Sequence, residues 1–332
     1  MKKTVSFSKN STNIFFHILT RCNLKCRHCY INKKQHGKND VDLPTIKAWL
    51  GIFAEKSKRA NVIFLGGEPT LHPDLHSAIR EARYLGYSSI TVDTNGYLFN
   101  NILSKVSPKD VDYFSFSLDG ASRYMNDMIR GKGSYDKCIS GIKKAKSKGF
   151  ATSLIYTVSK ENLEELDMMI PLLKNLGINR FFIQVVGIRG KSADKHNENI
   201  QVPGAKWLDI IPKAAEKAAD LGIIVSYPKT FLSMEETFEC GGLVAENYFI
   251  FPNGRVYRCP LCEDFPMHCL VLKDNKLVET EKINEKDIFQ LNIPEGCVMN
   301  KLIQPGNLSY NGDGTPEYKI ACCMLKEEIG YN

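Results

Sequence analysis

The sequence predicts an α/β protein: a partial (β/α)6 TIM-type barrel followed by a cysteine-rich α+β module. Three observations predict it. Apolar, β-rich runs alternate with segments of helical period over the first two thirds of the chain, which is the pattern of parallel strands joined by crossover helices. Six such units can be counted, fewer than the eight that close a full barrel. Beyond Tyr227 the helical periods stop, and seven of the 11 cysteines fall between Cys240 and Cys323.

The strand-like runs are Asn13 to Thr20, Val62 to Gly66, Ser89 to Val92, Tyr113 to Leu118, Ser153 to Val158 and Arg180 to Val186. Helical period is read over Pro44 to Lys56, Asp74 to Leu85, Tyr135 to Lys148, Leu163 to Leu176 and Ala205 to Leu221. Phe249 to Phe251 and Arg255 to Tyr257 flank Pro252-Asn253-Gly254, a hairpin whose turn uses Asn-Gly. These signals divide the chain into an N-terminal segment (1–13), a barrel (14–227) and a cysteine-rich module (228–332).

A chain of 332 residues buries roughly 75% of its unfolded surface and needs no crosslinks to be stable. No run approaches the roughly 18 apolar residues of a membrane helix. The polar stretch after Met1-Lys2-Lys3 does not read as a signal peptide, so a cytoplasmic location is expected. There thiols stay free or bind metal rather than pair. The net charge of +7 comes from scattered basic residues, which reads as a solvated surface rather than a nucleic-acid footprint.

Cys22, Cys26 and Cys29 stand in Thr20-Arg21-Cys22-Asn23-Leu24-Lys25-Cys26-Arg27-His28-Cys29-Tyr30, directly after the first strand. In a parallel barrel that loop faces the active site. Three thiolates can hold an iron–sulfur cube by three corners and leave one iron open. A structural zinc site would want a fourth ligand, for which His28 is the local candidate.

With this Cys-x3-Cys-x2-Cys spacing the sequence resembles the radical S-adenosylmethionine (SAM) superfamily. Gly66-Gly67-Glu68-Pro69, at the end of the second strand, matches the glycine-rich motif that meets the SAM amino group in that family. Glycine permits close backbone approach, and Glu68 would offer a negative partner for the ammonium. The resemblance places Thr94 and Asn95, and Ser117 and Asp119, at the strand ends that reach the SAM ribose and carboxylate. It further places Arg130 as a partner for a carboxylate and His28 where an aromatic side chain touches adenine. Gln184-Val185-Val186-Gly187-Ile188-Arg189 resembles the last barrel loop, although Ile188 interrupts the family's Gly-Arg pair.

The resemblance implies a SAM-binding [4Fe–4S] cluster that, once reduced by a donor such as flavodoxin or ferredoxin, cleaves SAM to methionine and a 5′-deoxyadenosyl radical. That radical would abstract hydrogen from a substrate. Cys240, Gly254 and Cys259 are spaced as at the opening of the SPASM and twitch extensions of this family, which implies an auxiliary [4Fe–4S] cluster. Further ligands would come from Cys262, Cys269, Cys297, Cys322 and Cys323. The full SPASM run is not reproduced, and seven cysteines cannot complete two four-thiolate sites, so one auxiliary cluster is expected, with a second only if it keeps an open iron. Cys138, inside a helical pattern, reads as an inert buried thiol. A peptide or protein substrate is favoured over a nucleotide, sugar or tetrapyrrole intermediate. A non-enzymatic module stapled by zinc is the contrasting reading, and it leaves Gly66-Gly67-Glu68 unexplained.

Overall fold

The computed structural model describes residues 2–193 and 200–330. It opens with β1 (Lys2–Ser6), β2 (Thr12–Leu19), a short α1 (Lys33–His36), α2 (Leu43–Lys56) and β3 (Ala60–Gly66). Strand and helix then alternate through α3 (Leu75–Tyr84), β4 (Ser89–Thr94), α4 (Ile102–Lys105), β5 (Tyr113–Ser117), α5 (Arg123–Arg130), α6 (Ser134–Ser147), β6 (Thr152–Val158), α7 (Leu166–Leu176), β7 (Arg180–Val185), α8 (Gly204–Ala219) and β8 (Ile224–Pro228). The remainder holds β9 (Phe231–Leu232), α9 (Gly241–Val244), β10 (Asn247–Ile250), β11 (Arg255–Tyr257), β12 (Leu270–Lys273), β13 (Lys276–Glu279), α10 (Glu285–Phe289), α11 (Val298–Ile303), β14 (Lys319–Ile320) and β15 (Lys326–Gly330).

Strands β2 to β8 lie side by side in chain order, all parallel. The fold is α/β as expected, with one more parallel strand than the six units of the sequence pattern: β8 follows α8 and pairs with β7 from Arg180↔Ile224 to Phe182↔Ser226. The sheet does not close on itself. On one side β15 and β1 add antiparallel strands, and on the other β10 pairs in parallel with β2 before β11, β12 and β13 continue it. Residues 2–6 therefore form an edge strand, and the cysteine-rich part shares one 13-stranded sheet with the barrel.

Alternation along each strand sorts side chains to two faces. In β2, Ile14, Phe16 and Ile18 are fully buried against the helices, while Asn13, Phe15 and His17 take the other face, toward the barrel lumen. Helix α2 starts where Asp42 accepts a hydrogen bond from Thr45 N at 2.8 Å, with Pro44 in its first turn. Ile46, Trp49, Leu50 and Phe53 then recur at helical spacing and enter the same core as Phe16 and Phe64.

The Asn253-Gly254 hairpin forms as expected, with Phe249↔Tyr257 and Ile250↔Val256 in register. Gly254 has φ 79°, and a Cβ there would lie 2.7 Å from Leu272 O. The expectation that helices stop after Tyr227 is corrected by α9, α10 and α11, which have four to six residues each.

Candidate active site and second cysteine centre

Beyond Leu19 the chain leaves β2 and runs along the end of β3. Gly67 N donates to Leu19 O and Glu68 N to Arg21 O, both at 3.1 Å, so the ladder continues up to Cys22. A Cβ on Gly66 would lie 2.1 Å from Leu19 O, and one on Gly67 2.1 Å from Arg21 O. The glycine pair is thus required by the close approach of two backbones, one of which carries the cysteine loop.

The loop places Cys22 in the open and leaves Cys26 and Cys29 half-buried, with Cys29 N donating to Cys26 O at 3.3 Å. It is tied to the rim at three points. Asn95 Nδ2, just past β4, donates to Asn23 Oδ1 at 2.8 Å and lies 3.8 Å from Cys22 Sγ. Arg27 N donates to Ile129 O at 2.9 Å. His28 Nε2 lies 2.6 Å from Asp119 Oδ2, and since a carboxylate only accepts, that nitrogen carries the hydrogen.

Asp119 is completely buried and fully engaged. Besides His28 it accepts from Thr157 N at 2.8 Å and faces Arg130 Nε at 2.6 Å. Burial pushes its carboxyl up, but the Arg130 guanidinium and the contact with His28 overrule this and hold it at about 2. The Arg130 Nε–H is not aligned on the carboxylate, so the contact is an ion pair that leaves a buried donor unspent. Arg130 is 8% exposed, and its carbonyl lies 3.9 Å from Cys26 Sγ.

Glu68 is likewise buried and engaged. Its carboxylate accepts from Thr70 N and Oγ1, from Thr94 Oγ1 at 2.9 Å and from Asn95 N at 2.7 Å. Both carboxylates are thus held by partners inside the protein, and both shape the rim. His28 anchors the loop to Asp119. Pro69 starts the short turn Pro69–Leu71 behind Glu68. Ser117 ends β5 half-buried, its carbonyl accepting from the Cys138 thiol at 3.6 Å, and Cys138 is the buried thiol the helical pattern predicted.

Sequence patterns missed the residues that join this loop to the second cysteine region. Tyr30 meets His17 Nε2 at 2.8 Å; His17 Nδ1 donates to Ile250 O, so Nε2 is the acceptor and Tyr30 the donor. The Phe251 ring stacks between His17 and His36, with both centroid separations 4.0 Å. Burial keeps His17 neutral, its pKa falling to about 3. Arg189 lies 4.7 Å above the Tyr30 ring and donates to Pro260 O at 2.6 Å and to Glu263 at 3.2 Å. The interrupted Gly-Arg pair thus places its arginine between the two cysteine regions. In the lumen below, burial raises the Asp93 carboxyl to about 7.

In the second region, Cys240, Cys259, Cys297, Cys322 and Cys323 line one small cavity whose other walls are largely apolar, Phe238 and Met299 among them. Cys297 and Cys240 sit at the N-caps of α11 and α9, which is how two short helices deliver thiols to one point. Burial pushes Cys297 well above the usual thiol range, so without a cation it is protonated. Cys322 runs the other way, held below that range by the Cys323 thiol and by backbone N–H groups of Met324 and Gly241. Cys262 is fully buried and contacts Cys259 thiol to thiol.

Cys269 does not join them. Its N–H and thiol both go to Glu285, and it packs into the barrel core, away from the cavity the other thiols line. Glu285, fully buried, also accepts from Arg258 N at 2.7 Å and Cys259 N at 3.0 Å. Glu285→Ala would leave three buried N–H groups unpaired, at about 1–3 kcal/mol each. Urea unfolding should read a loss of about 3 kcal/mol or more, and unchanged stability would refute the anchor. Among the described residues no three His, Cys, Asp or Glu side chains gather as a single metal ion would require; the thiols ring a space instead.

The family model described as "Radical SAM superfamily" matches residues 16–173. Among curated proteins, Fe-coproporphyrin III synthase of Methanosarcina barkeri is 28% identical over 243 residues, 72% of this chain and 59% of that one. A probable GTP 3′,8-cyclase of Saccharolobus solfataricus is 31% identical over 184 residues, 54% of this chain and again 59% of the relative. The chain thus spans about three fifths of the length of these relatives. Streptococcus suis SuiB bound to S-adenosylmethionine aligns with a TM-score of 0.67 at 15% identity, covering 89% of this chain and 74% of SuiB. Native anSMEcpe with bound AdoMet aligns at 0.61 and 15% identity, covering 85% and 80%. At such identities the likeness is one of fold.

Proposed function

We propose that this chain, whose residues 16–173 match the radical SAM superfamily model, is an enzyme of that kind that removes hydrogen from a peptide or protein substrate held in the open barrel. The carrying observation is the sheet that stays open: seven parallel strands frame a lumen, and neither flank closes it, which suits an extended, bulky substrate.

Cys22, Cys26 and Cys29 would hold the catalytic cluster. Three thiols on one loop and no fourth suit a cube with one free corner. The buried, unspent donor on Arg130 suits the SAM carboxylate. Thr94, Asn95 and Ser117 surround the same rim, and Pro69 with Gly66 and Gly67 fixes its height over β3. When bound, a [4Fe–4S] cluster and SAM supply one-electron cleavage of SAM and the hydrogen abstraction that follows. The chain's own residues position and shield: Asp119 holds the loop through His28, and Arg189 with Tyr30 walls the lumen toward the second region.

Cys240, Cys259 and Cys297, with Cys322 or Cys323, would hold an auxiliary cluster in the apolar cavity, where metal would displace the protons that burial keeps on these thiols. The peptide reading draws on a fold likeness that extends over both halves of the chain, to SuiB, which is also described bound to the precursor peptide SuiA. A second reading, a small-molecule substrate such as a tetrapyrrole, draws on the 28% identity to Fe-coproporphyrin III synthase.

Anaerobic coexpression with short peptides encoded beside the gene, followed by mass spectrometry, decides between them. Loss of hydrogens from a peptide supports the first reading. Conversion of a porphyrin with every peptide unaltered replaces it with the second.

A further inference from the structure

One lysine outside the first cysteine loop lies beside the second centre, on the lumen face of the sheet. The chain turns back after Cys322, where Leu325 N donates to Cys322 O at 2.9 Å, and enters β15 at Lys326. There Lys326 is flanked by Ser6 of β1 on one side and Pro228 of β8 on the other. Alternation along β15 sorts its side chains. Ile329 joins the core under the helices, and Glu327, on the same face, pairs with Lys3 at 2.9 Å. Glu328 instead pairs with Arg180 of β7 at 3.0 Å, on the face opposite the buried Phe181 and Ile183. Lys326 shares that lumen face with Glu328.

The two carboxylates that follow Lys326 are therefore taken, and this half-buried lysine has no ion pair of its own among the described residues. The negative groups that answer it are thiols. Burial draws its ammonium toward the neutral form, and Cys323 and Cys322 act the other way. In return, Lys326 is among the groups that hold Cys322 below the usual thiol range. Both cysteines line the apolar cavity with Cys240, Cys259 and Cys297.

We propose that Lys326 sets the reduction potential of the auxiliary cluster, its positive charge favouring the reduced form and so raising that potential. This deepens the function proposed above and rests on a cluster held by Cys240, Cys259 and Cys297 with Cys322 or Cys323. A [4Fe–4S] cluster on thiolates is already negative, and one-electron reduction adds a further negative charge beside the ammonium; net charge is one of the factors that fix such potentials. The apolar cavity walls keep the interaction strong, because a charge acts further where water is excluded. Lys326 is a positioning residue here: it orders charge around the centre and ligates nothing.

The test is a redox titration with dithionite, followed by electron paramagnetic resonance, on the full chain carrying C22A/C26A/C29A, so that the second centre alone gives the signal. Lys326→Met and Lys326→Gln should make the cluster harder to reduce by about tenfold, a shift of about 59 mV to lower potential for one electron. Lys326→Arg, which keeps the charge, should stay close to the parent, and all three should retain the parent's iron and sulfide. Lys3→Met, on the opposite face of the same strand pair, should leave the potential unchanged. An unshifted potential in Lys326→Met and Lys326→Gln overturns the proposal, as does an equal shift in Lys3→Met, which would trace the effect to net charge. Loss of the cluster from both neutral variants also overturns it, since the lysine would then be structural. A parent chain that takes up no iron after reconstitution defeats the auxiliary-cluster reading itself, a result distinct from the others.

Discussion

Alanine at Cys22, Cys26 or Cys29 is expected to abolish formation of 5′-deoxyadenosine from SAM while leaving the apo-protein's unfolding midpoint nearly unchanged. The two halves of this expectation have separate causes. A cube held by three protein thiolates has none to spare, so each substitution removes a corner. Yet Cys22 is exposed and Cys26 and Cys29 are half-buried, so truncation to Ala removes little packing. The other cysteines provide the contrast. Cys138→Ala empties a fully buried site in α6 and should lower stability without touching iron content. Cys297→Ala should remove the iron of the second centre, whereas Cys269→Ala should not, because its thiol is turned to Glu285. Iron and sulfide analysis of the reconstituted variants, with SAM turnover in dithionite, reads all of these. Full turnover by a Cys26→Ala protein would end the assignment.

The contrast between Cys269 and Cys297 shows where sequence reading stops. Both are cysteines in the same dense stretch, and spacing alone ranks Cys269, near Cys259 and Cys262, ahead of the distant Cys297. What decides is the path of the chain: Glu285 gathers the N–H groups of Arg258, Cys259 and Cys269 and draws Cys269 away from the cavity, while α11 brings Cys297 to it. Long-range hydrogen bonds of that kind leave no local periodicity. The barrel was legible because it is built from periods. The expected helix from Pro44 to Lys56 is α2 to within one residue, and the expected strands are β2 to β7. The seventh parallel strand, β8, is five residues ending in Pro228, and α9 to α11 are too short to display a 3.6-residue repeat. Glu68 and Asp119 illustrate a second limit. A carboxylate at a strand end suits a ligand and suits a buried anchor equally, and the hydrogen bonds that anchor these two come from residues distant in the chain.

Asp119→Ala should cost about 3–5 kcal/mol, the usual penalty for breaking a buried pair and leaving its partner charge alone. Arg130, at 8% exposure with an already unspent Nε–H, would become that stranded cation, and Thr157 N would lose its acceptor. The damage also reaches the cysteine loop, because His28 has no other partner holding it to the rim among the described residues. Iron retention after reconstitution should therefore fall together with stability. Asp119→Asn separates the two effects: it keeps the volume and can accept one hydrogen bond from His28, but lacks the charge that holds Arg130, so it should retain iron better than the Ala variant while remaining destabilised. The same carboxylate gives the apo-protein a pH signature. Its folded pKa, about 2, lies below the ordinary aspartate value of about 3.8, so the stabilisation is complete above pH 4 and is lost as pH falls toward 2. At about 1.4 kcal/mol per unit this is about 2 kcal/mol. Urea titrations of wild type and Asp119→Asn at pH 6 and pH 3 should show the gap between them narrowing at the lower pH. A gap that is constant, or that widens, would mean the ion pair with Arg130 and the hydrogen bond from His28 do not set that charge.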